Sequence, residues 1–193
     1  MRLVRSTHGV LIGLLLVILV TSIGTKLGTR GIGLVILVIA LALVLPLNSQ
    51  RMMLHTSGVA HHSVGDPTGP AGIGAVLRSD SGEVLGEIEK GIGVATNTVA
   101  DYTALLEGLE MALEKGVREV SVYVDSPVVA GHLVEGYMVR ADHLRPLVEQ
   151  VRQLLDEFST WSLTRVPRKS NLESGLLAKR AITRATALRA APA

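Results

Sequence analysis

Residues 69–116, GPAGIGAVLRSDSGEVLGEIEKGIGVATNTVADYTALLEGLEMALEKG, and residues 120–126, VSVYVDS, decide how this chain folds. Residues 72–78 read as a strand. Ser79-Asp80-Ser81-Gly82 reads as a hairpin turn, and 83–90 as the returning strand, with Val84, Leu85 and Ile88 as its apolar side chains. Thr96, Asn97 and Thr98 mark a helix start. Val99, Tyr102, Leu105, Leu106, Leu109 and Leu113 then keep three- and four-residue spacing until Gly116 stops the helix. Val120, Val122 and Val124 alternate in a short strand that ends at Asp125.

Working outward, residues 51–58 (RMMLHTSG) make a first strand with imperfect alternation, and 60–70 a loop rich in Gly and Pro. A short helix is expected over 127–135 and a long amphipathic one over 142–158. A fifth strand over 161–166 and a final basic, alanine-rich helix over 171–188 complete the chain. This order predicts an α/β fold, a mixed five-stranded sheet with flanking helices, in which the strand at 120–125 lies parallel inside the sheet. With one Trp and one Phe the core must be aliphatic.

Residues 1–51 contain no Asp or Glu. All 17 acidic residues fall in 52–193 against 14 Lys and Arg, a net charge of −3, so the overall +2 belongs to the N-terminal segment. Without cysteine there is no disulfide, thiolate chemistry or Cys-ligated zinc. Residues 9–24 and 31–47 are almost wholly apolar, each about 24–26 Å long as helix, the short end of what spans a bilayer. Lys26 and Arg30 lie in the turn between them. The expected organisation is a two-helix membrane hairpin at 1–50, a domain at 51–185 and a frayed tail at 186–193. The basic flanks favour both termini in the cytoplasm. A signal-like first segment competes with this reading, as does a true start near Met52, which would leave the protein cytoplasmic.

ATNTVADYTAL (95–105), Asp125-Ser126 before Val128-Val129, and VPRKSNLESG (166–175) stand in the order and spacing of the type I ribonuclease H family, and the chain resembles its short members over nearly all of 54–182. The resemblance implies cleavage of the RNA strand of an RNA–DNA hybrid with Mg²⁺ or Mn²⁺ held by four carboxylates. Of those positions, Asp125 matches and Asp101 replaces a Glu. Ser57 in Thr56-Ser57-Gly58 stands for a first Asp, and Gly175 after Ser174 for a fourth. Asp66, in a lengthened loop, is the candidate replacement ligand. Glu173 falls about 200° around the helix from Gly175 and is poorly placed to serve.

The resemblance further implies nucleic-acid contacts from Gly69, Asn97, Arg168, Lys169 and Asn171, the last also an expected N-cap. Arg165 belongs to the same basic cluster. The last helix adds Lys179, Arg180, Arg184 and Arg189, of which Arg180 and Arg184 at i,i+4 suit nucleic acid or anionic lipid. His61 and His62 read as solvated loop side chains, with a place along a nucleic-acid groove or in proton transfer as the alternative, and His132 and His143 have no sequence partner that would suggest a metal site. The basic protrusion of larger members has no counterpart, so hybrid binding is expected to be weak. The expected function is a membrane-bound, catalytically impaired domain that binds hybrid or a protein, with a monomeric domain. An active or weak ribonuclease H and a purely structural module are the alternatives.

Overall fold

The structure is a computed structural model that describes residues 51–190, within a compact unit spanning Gln50–Ala193. The expected hairpin at 9–24 and 31–47 lies outside the described residues. Among the described residues no helix is long and apolar enough to cross a membrane.

Strands β1 (Met52–Ala60), β2 (Thr68–Arg78) and β3 (Val84–Thr96) form an antiparallel meander. Helix α1 (Asn97–Glu114) leads to β4 (Glu119–Val124), which pairs parallel with β1. Helices α2 (Pro127–Leu133) and α3 (Arg145–Asp156) precede β5 (Thr160–Arg165), parallel to β4, and α4 (Leu172–Ala190) closes the chain. The sheet order β3-β2-β1-β4-β5 places β4 inside the sheet, as the helical crossovers on both sides of it predict.

Several boundaries differ from expectation. β1 runs two residues past Gly58 and β2 begins at Thr68, so the loop shrinks to 61–67. The His61 N–H donates to the Pro70 carbonyl, and a Cβ at Gly69 would stand 1.8 Å from the His61 oxygen. Gly69 therefore closes a tight strand pair. The expected helix over 142–158 begins as a 3-10 turn, Asp142–Leu144, and becomes α-helical where Pro146 sits in the first turn, its missing N–H costing nothing there. α4 continues to Ala190, two residues beyond the expected helix end at 188.

Alternation along β1 sends its neighbours to opposite faces. Leu54 and Thr56 meet α1 at Gly108, and the core of that face joins Leu105, Leu109, Val120, Val122, Val148, Val151 and Leu155. Ser57 faces α4, which buries Leu177, Ala178, Ala181 and Ile182. Both helices lie unusually close to the sheet. A Cβ at Gly74 would stand 2.0 Å from the Ser174 carbonyl, and one at Gly58 would stand 2.1 Å from the Ala100 carbonyl carbon. Since backbone atoms block both places, neither glycine can be enlarged without moving a helix. Gly58→Ala should cost about 3 kcal/mol or more in urea denaturation. A wild-type midpoint would show that α1 does not rest on β1 as described.

Candidate functional site

The carboxyl ends of β1 and β4, the start of α1 and the first turn of α4 surround a cleft of about 300 Å³. Its lining includes Ser57, His62, Asn97, Asp125, Arg168, Asn171, Gly175 and Lys179. Four segments far apart in sequence meet here, in part because β1 and β4 are parallel neighbours and so end on the same side.

Asn171 is the crosspiece. Its Nδ2 donates to the Thr56 carbonyl at 2.8 Å and to Asp125 Oδ1 at 2.9 Å, while its Oδ1 lies 3.1 Å from His55 Nδ1. The expected side-chain cap on α4 is thus replaced by a bridge between β1 and β4. The His55 ring stacks on Tyr123, its register partner on β4, with centroids 4.7 Å apart. Asp125 also meets Arg168 Nε at 3.4 Å.

Asp101 projects from α1 and accepts from the Gly58 N–H at 2.9 Å. Burial is the main cause that raises its pKa to about 6. Hydrogen bonds from Ser126 and Gly58 oppose the rise, the Asp125 charge adds to it, and Arg168 partly relieves it. Asn97 accepts from the Ala60 N–H at 2.8 Å through Oδ1, while Thr96 caps α1 by accepting from the Val99 N–H at 3.2 Å.

Ser57 and Gly175 face each other across the cleft, with 3.8 Å between the Ser57 hydroxyl and the place a Cβ at 175 would take. The positions expected from sequence to match the first and fourth carboxylates are therefore brought together with Asp125, and Asp101 approaches behind them. Asp66 is not. Its carboxylate turns back on its own loop, accepting from the Thr68 N–H at 2.8 Å and from the Thr68 hydroxyl at 2.7 Å. Those bonds hold its pKa below the usual carboxylate range. Glu173 points away, as its helical angle requires, and pairs with Arg78 at 2.5 Å.

Gly69 and Lys169 do not line the cleft, Gly69 serving the strand pair and Lys169 lying exposed in a 3-10 turn. Arg165 lines a neighbouring depression with Glu135 and Arg168. Arg180 and Arg184 both pair with Glu89 on β3, at 2.8 and 3.2 Å, so the free basic face expected on α4 is partly spent in holding that helix to the sheet. His132 lies with its Nδ1 2.8 Å from the Tyr102 hydroxyl, and burial lowers its pKa.

Of the basic residues expected on the last helix, Lys179 lines the cleft, and so does His62. Sequence reasoning missed His55, which supports Asn171 from behind; it stands two residues before Ser57 on a strand, and that periodicity places it on the same face.

The donor set does not fit a two-ion Mg²⁺ centre. Such ions require several hard oxygen ligands each. Here Ser57 offers a neutral hydroxyl and Gly175 nothing, Asp125 is already held by Asn171 and Arg168, and Asp101 is a costly buried charge. Among the described residues no three His, Cys, Asp or Glu side chains are grouped so as to hold a metal ion.

A mixed sheet of this order, with a polar cleft where β1 and β4 end beside the last helix, defines a ribonuclease H-like fold. The family described as reverse transcriptase-like matches residues 62–181. Ribonuclease HI of Halobacterium salinarum is 35% identical over 141 residues, 73% of this chain and 69% of that protein. The crystal structure of the RNase H1 from that archaeon aligns with a TM-score of 0.65 over 69% of this chain and 98% of that one. LC11-RNase H1 in complex with an RNA/DNA hybrid aligns with a TM-score of 0.64 and 30% identity, over 70% of this chain and 99% of that one. A bifunctional protein of Mycobacterium tuberculosis is 37% identical over 132 residues, 68% of this chain but only 36% of its own length. The chain belongs to the type I ribonuclease H family.

The raised pKa of Asp101 has a stability consequence. Between pH 3.8 and about 6 the folded chain keeps a proton that the unfolded chain releases, so this group's contribution falls as pH rises through that window and then levels off. Asp101→Asn should stabilise the protein by on the order of 2 kcal/mol near pH 8, with the gain shrinking toward about pH 4, in denaturant midpoints at the two pH values. A gain that does not vary with pH would contradict the assigned burial cost.

Proposed function

We propose that this chain is a membrane-tethered ribonuclease H-like protein whose domain binds nucleic acid, an RNA–DNA hybrid above all, and hydrolyses it poorly or not at all. One observation carries the reading. The two positions that should oppose each other with carboxylates across the cleft do oppose each other, but as Ser57 and Gly175. The loss of two negative charges from a centre that holds divalent ions chiefly by electrostatics removes most of its metal affinity. The alternative of a rebuilt site that recruits Asp66 is disfavoured by the bonds that tie Asp66 to Thr68. The tether rests on the two apolar, acid-free runs at 9–24 and 31–47, which favour insertion. Their basic flanks favour a domain on the cytoplasmic side.

The natural chain is expected to leave an RNA–DNA hybrid intact in Mg²⁺ and Mn²⁺. Turnover that disappears on Asp125→Asn would overturn the proposed loss of hydrolysis. Because positions 57 and 175 already face each other, Ser57→Asp with Gly175→Asp should create Mn²⁺-dependent cleavage. The expected gain is at least about tenfold over either single change, the kinetic equivalent of about 1.4 kcal/mol. Mn²⁺ should also raise the melting temperature of the doubly substituted chain and not that of the natural one, since only the former gains a ligand site. A doubly substituted chain that is folded and stabilised by Mn²⁺, yet silent, would mean that the substrate groove has diverged along with the ligands.

The tether is tested separately. Full-length protein should stay in the membrane pellet through an alkaline carbonate wash, since two buried apolar spans resist extraction far better than an interfacial attachment. Release into the supernatant would contradict it.

A further inference from the structure

The cleft has changed in the sign of its chemistry as well as in its metal ligands. Asp125 is the one carboxylate in its lining, and Asn171 and Arg168 already occupy it. Of the remaining polar side chains, Arg168 and Lys179 can only donate, and Ser57 and Asn97 have donors to offer. Ser57 turns its hydroxyl toward the open space above Gly175. Asn97 has committed its Oδ1 to the Ala60 N–H, which leaves its amide NH₂ as a pair of donors. Lys179 forms no ion pair among the described residues, whereas its helix neighbours Arg180 and Arg184 are both paired with Glu89. The two cations of the lining, Arg168 and Lys179, outnumber its one carboxylate, Asp125. An open polar cleft with two cations and further donors against one already paired carboxylate suits an oxyanion.

The geometry points to direct, metal-free capture of a nucleic-acid phosphodiester by Ser57, Asn97, Arg168 and Lys179, an inference that rests on the hybrid-binding reading above. Four carboxylates at 57, 101, 125 and 175 would repel a phosphate unless cations stood between them. With two of the four absent and Asp125 paired, the phosphate meets cations and hydroxyl directly. Leu172 and Leu176, 61% and 57% exposed, line the same rim. They offer apolar contact to sugar carbons, which favours a nucleic-acid strand over a free phosphate ion.

The experiment is fluorescence anisotropy of a labelled RNA–DNA hybrid with detergent-solubilised full-length protein at low salt, in EDTA and in Mg²⁺. Binding should be equal in EDTA and Mg²⁺ to within about twofold. Lys179→Gln should weaken it by about fivefold to tenfold and make the slope of log K against log salt shallower by about 1, while Lys179→Arg keeps it. Lys179 is an exposed helix residue, and Gln has a comparable helix propensity, so the fold is not at stake. Inorganic phosphate at matched ionic strength should not displace the hybrid. Binding that vanishes in EDTA and returns with Mg²⁺, a Lys179→Gln chain that binds like the natural one, or full displacement by phosphate would each overturn the inference. Hybrid cleavage in the Mg²⁺ arm would count against the proposed loss of hydrolysis, and the EDTA arm would still decide the cleft.

Discussion

Asn171 joins β1, β4 and the start of α4 at one point, and the site's geometry depends on that junction. Its amide nitrogen reaches the Thr56 carbonyl and Asp125 together, and its oxygen meets His55. A buried amide that satisfies partners on two strands fixes where those strands end relative to each other, because any slip would strand polar groups away from water. With the ends of β1 and β4 fixed, Ser57 and Asp125 are held on the rim of one cleft, and α4 leaves Asn171 in the direction that brings Gly175 over Ser57. Close helix–sheet contact at Gly58 and Gly74 does the rest, since each helix lies against a strand where a methyl group could not fit.

The same scaffold explains how two ligand positions can change without loss of the fold. Ser57 and Gly175 are smaller than the carboxylates the resemblance expects, and the structural bonds of the junction pass through backbone atoms and Asn171 instead of through them. Asp101 is the residue whose ionisation is costly. Its burial is offset only in part by the Gly58 N–H and Ser126, and the nearby Asp125 charge works against it. A divalent ion between the two carboxylates would relieve that repulsion. Here Arg168 and Asn171 both contact Asp125, and the Arg168 charge partly relieves the cost at Asp101.

Most of the fold was legible in the sequence because periodicity and breakers agree with each other. Val120, Val122 and Val124 alternate and are buried on β4, and the Val99 to Leu113 spacing gives α1 with Gly116 just beyond it. What periodicity could not show was where pairing stops. The run at 58–60 continues β1 because Ala60 and Ala71 are small enough to pair in a dense layer against Ala100 and Ala104, a tertiary fact absent from a single strand's pattern. The positions that the resemblance assigns to the first and fourth ligands lie opposite each other at Ser57 and Gly175. The bridging bonds of Asn171 and the support it receives from His55 were not legible. Asn171 looked like a helix cap, and nothing local distinguishes an asparagine that caps from one that bridges two strands. Asp66 looked available because loop course is not encoded in spacing, yet Thr68, two residues on, captures it.

The proposed loss of hydrolysis requires that this cleft hold no divalent ions. Direct titration of the natural chain with Mn²⁺, followed by electron paramagnetic resonance of the free ion, tests it without any assumption about substrate. The account predicts no saturable site in the millimolar range. A saturable Mn²⁺ site that disappears with Asp125→Asn would contradict it.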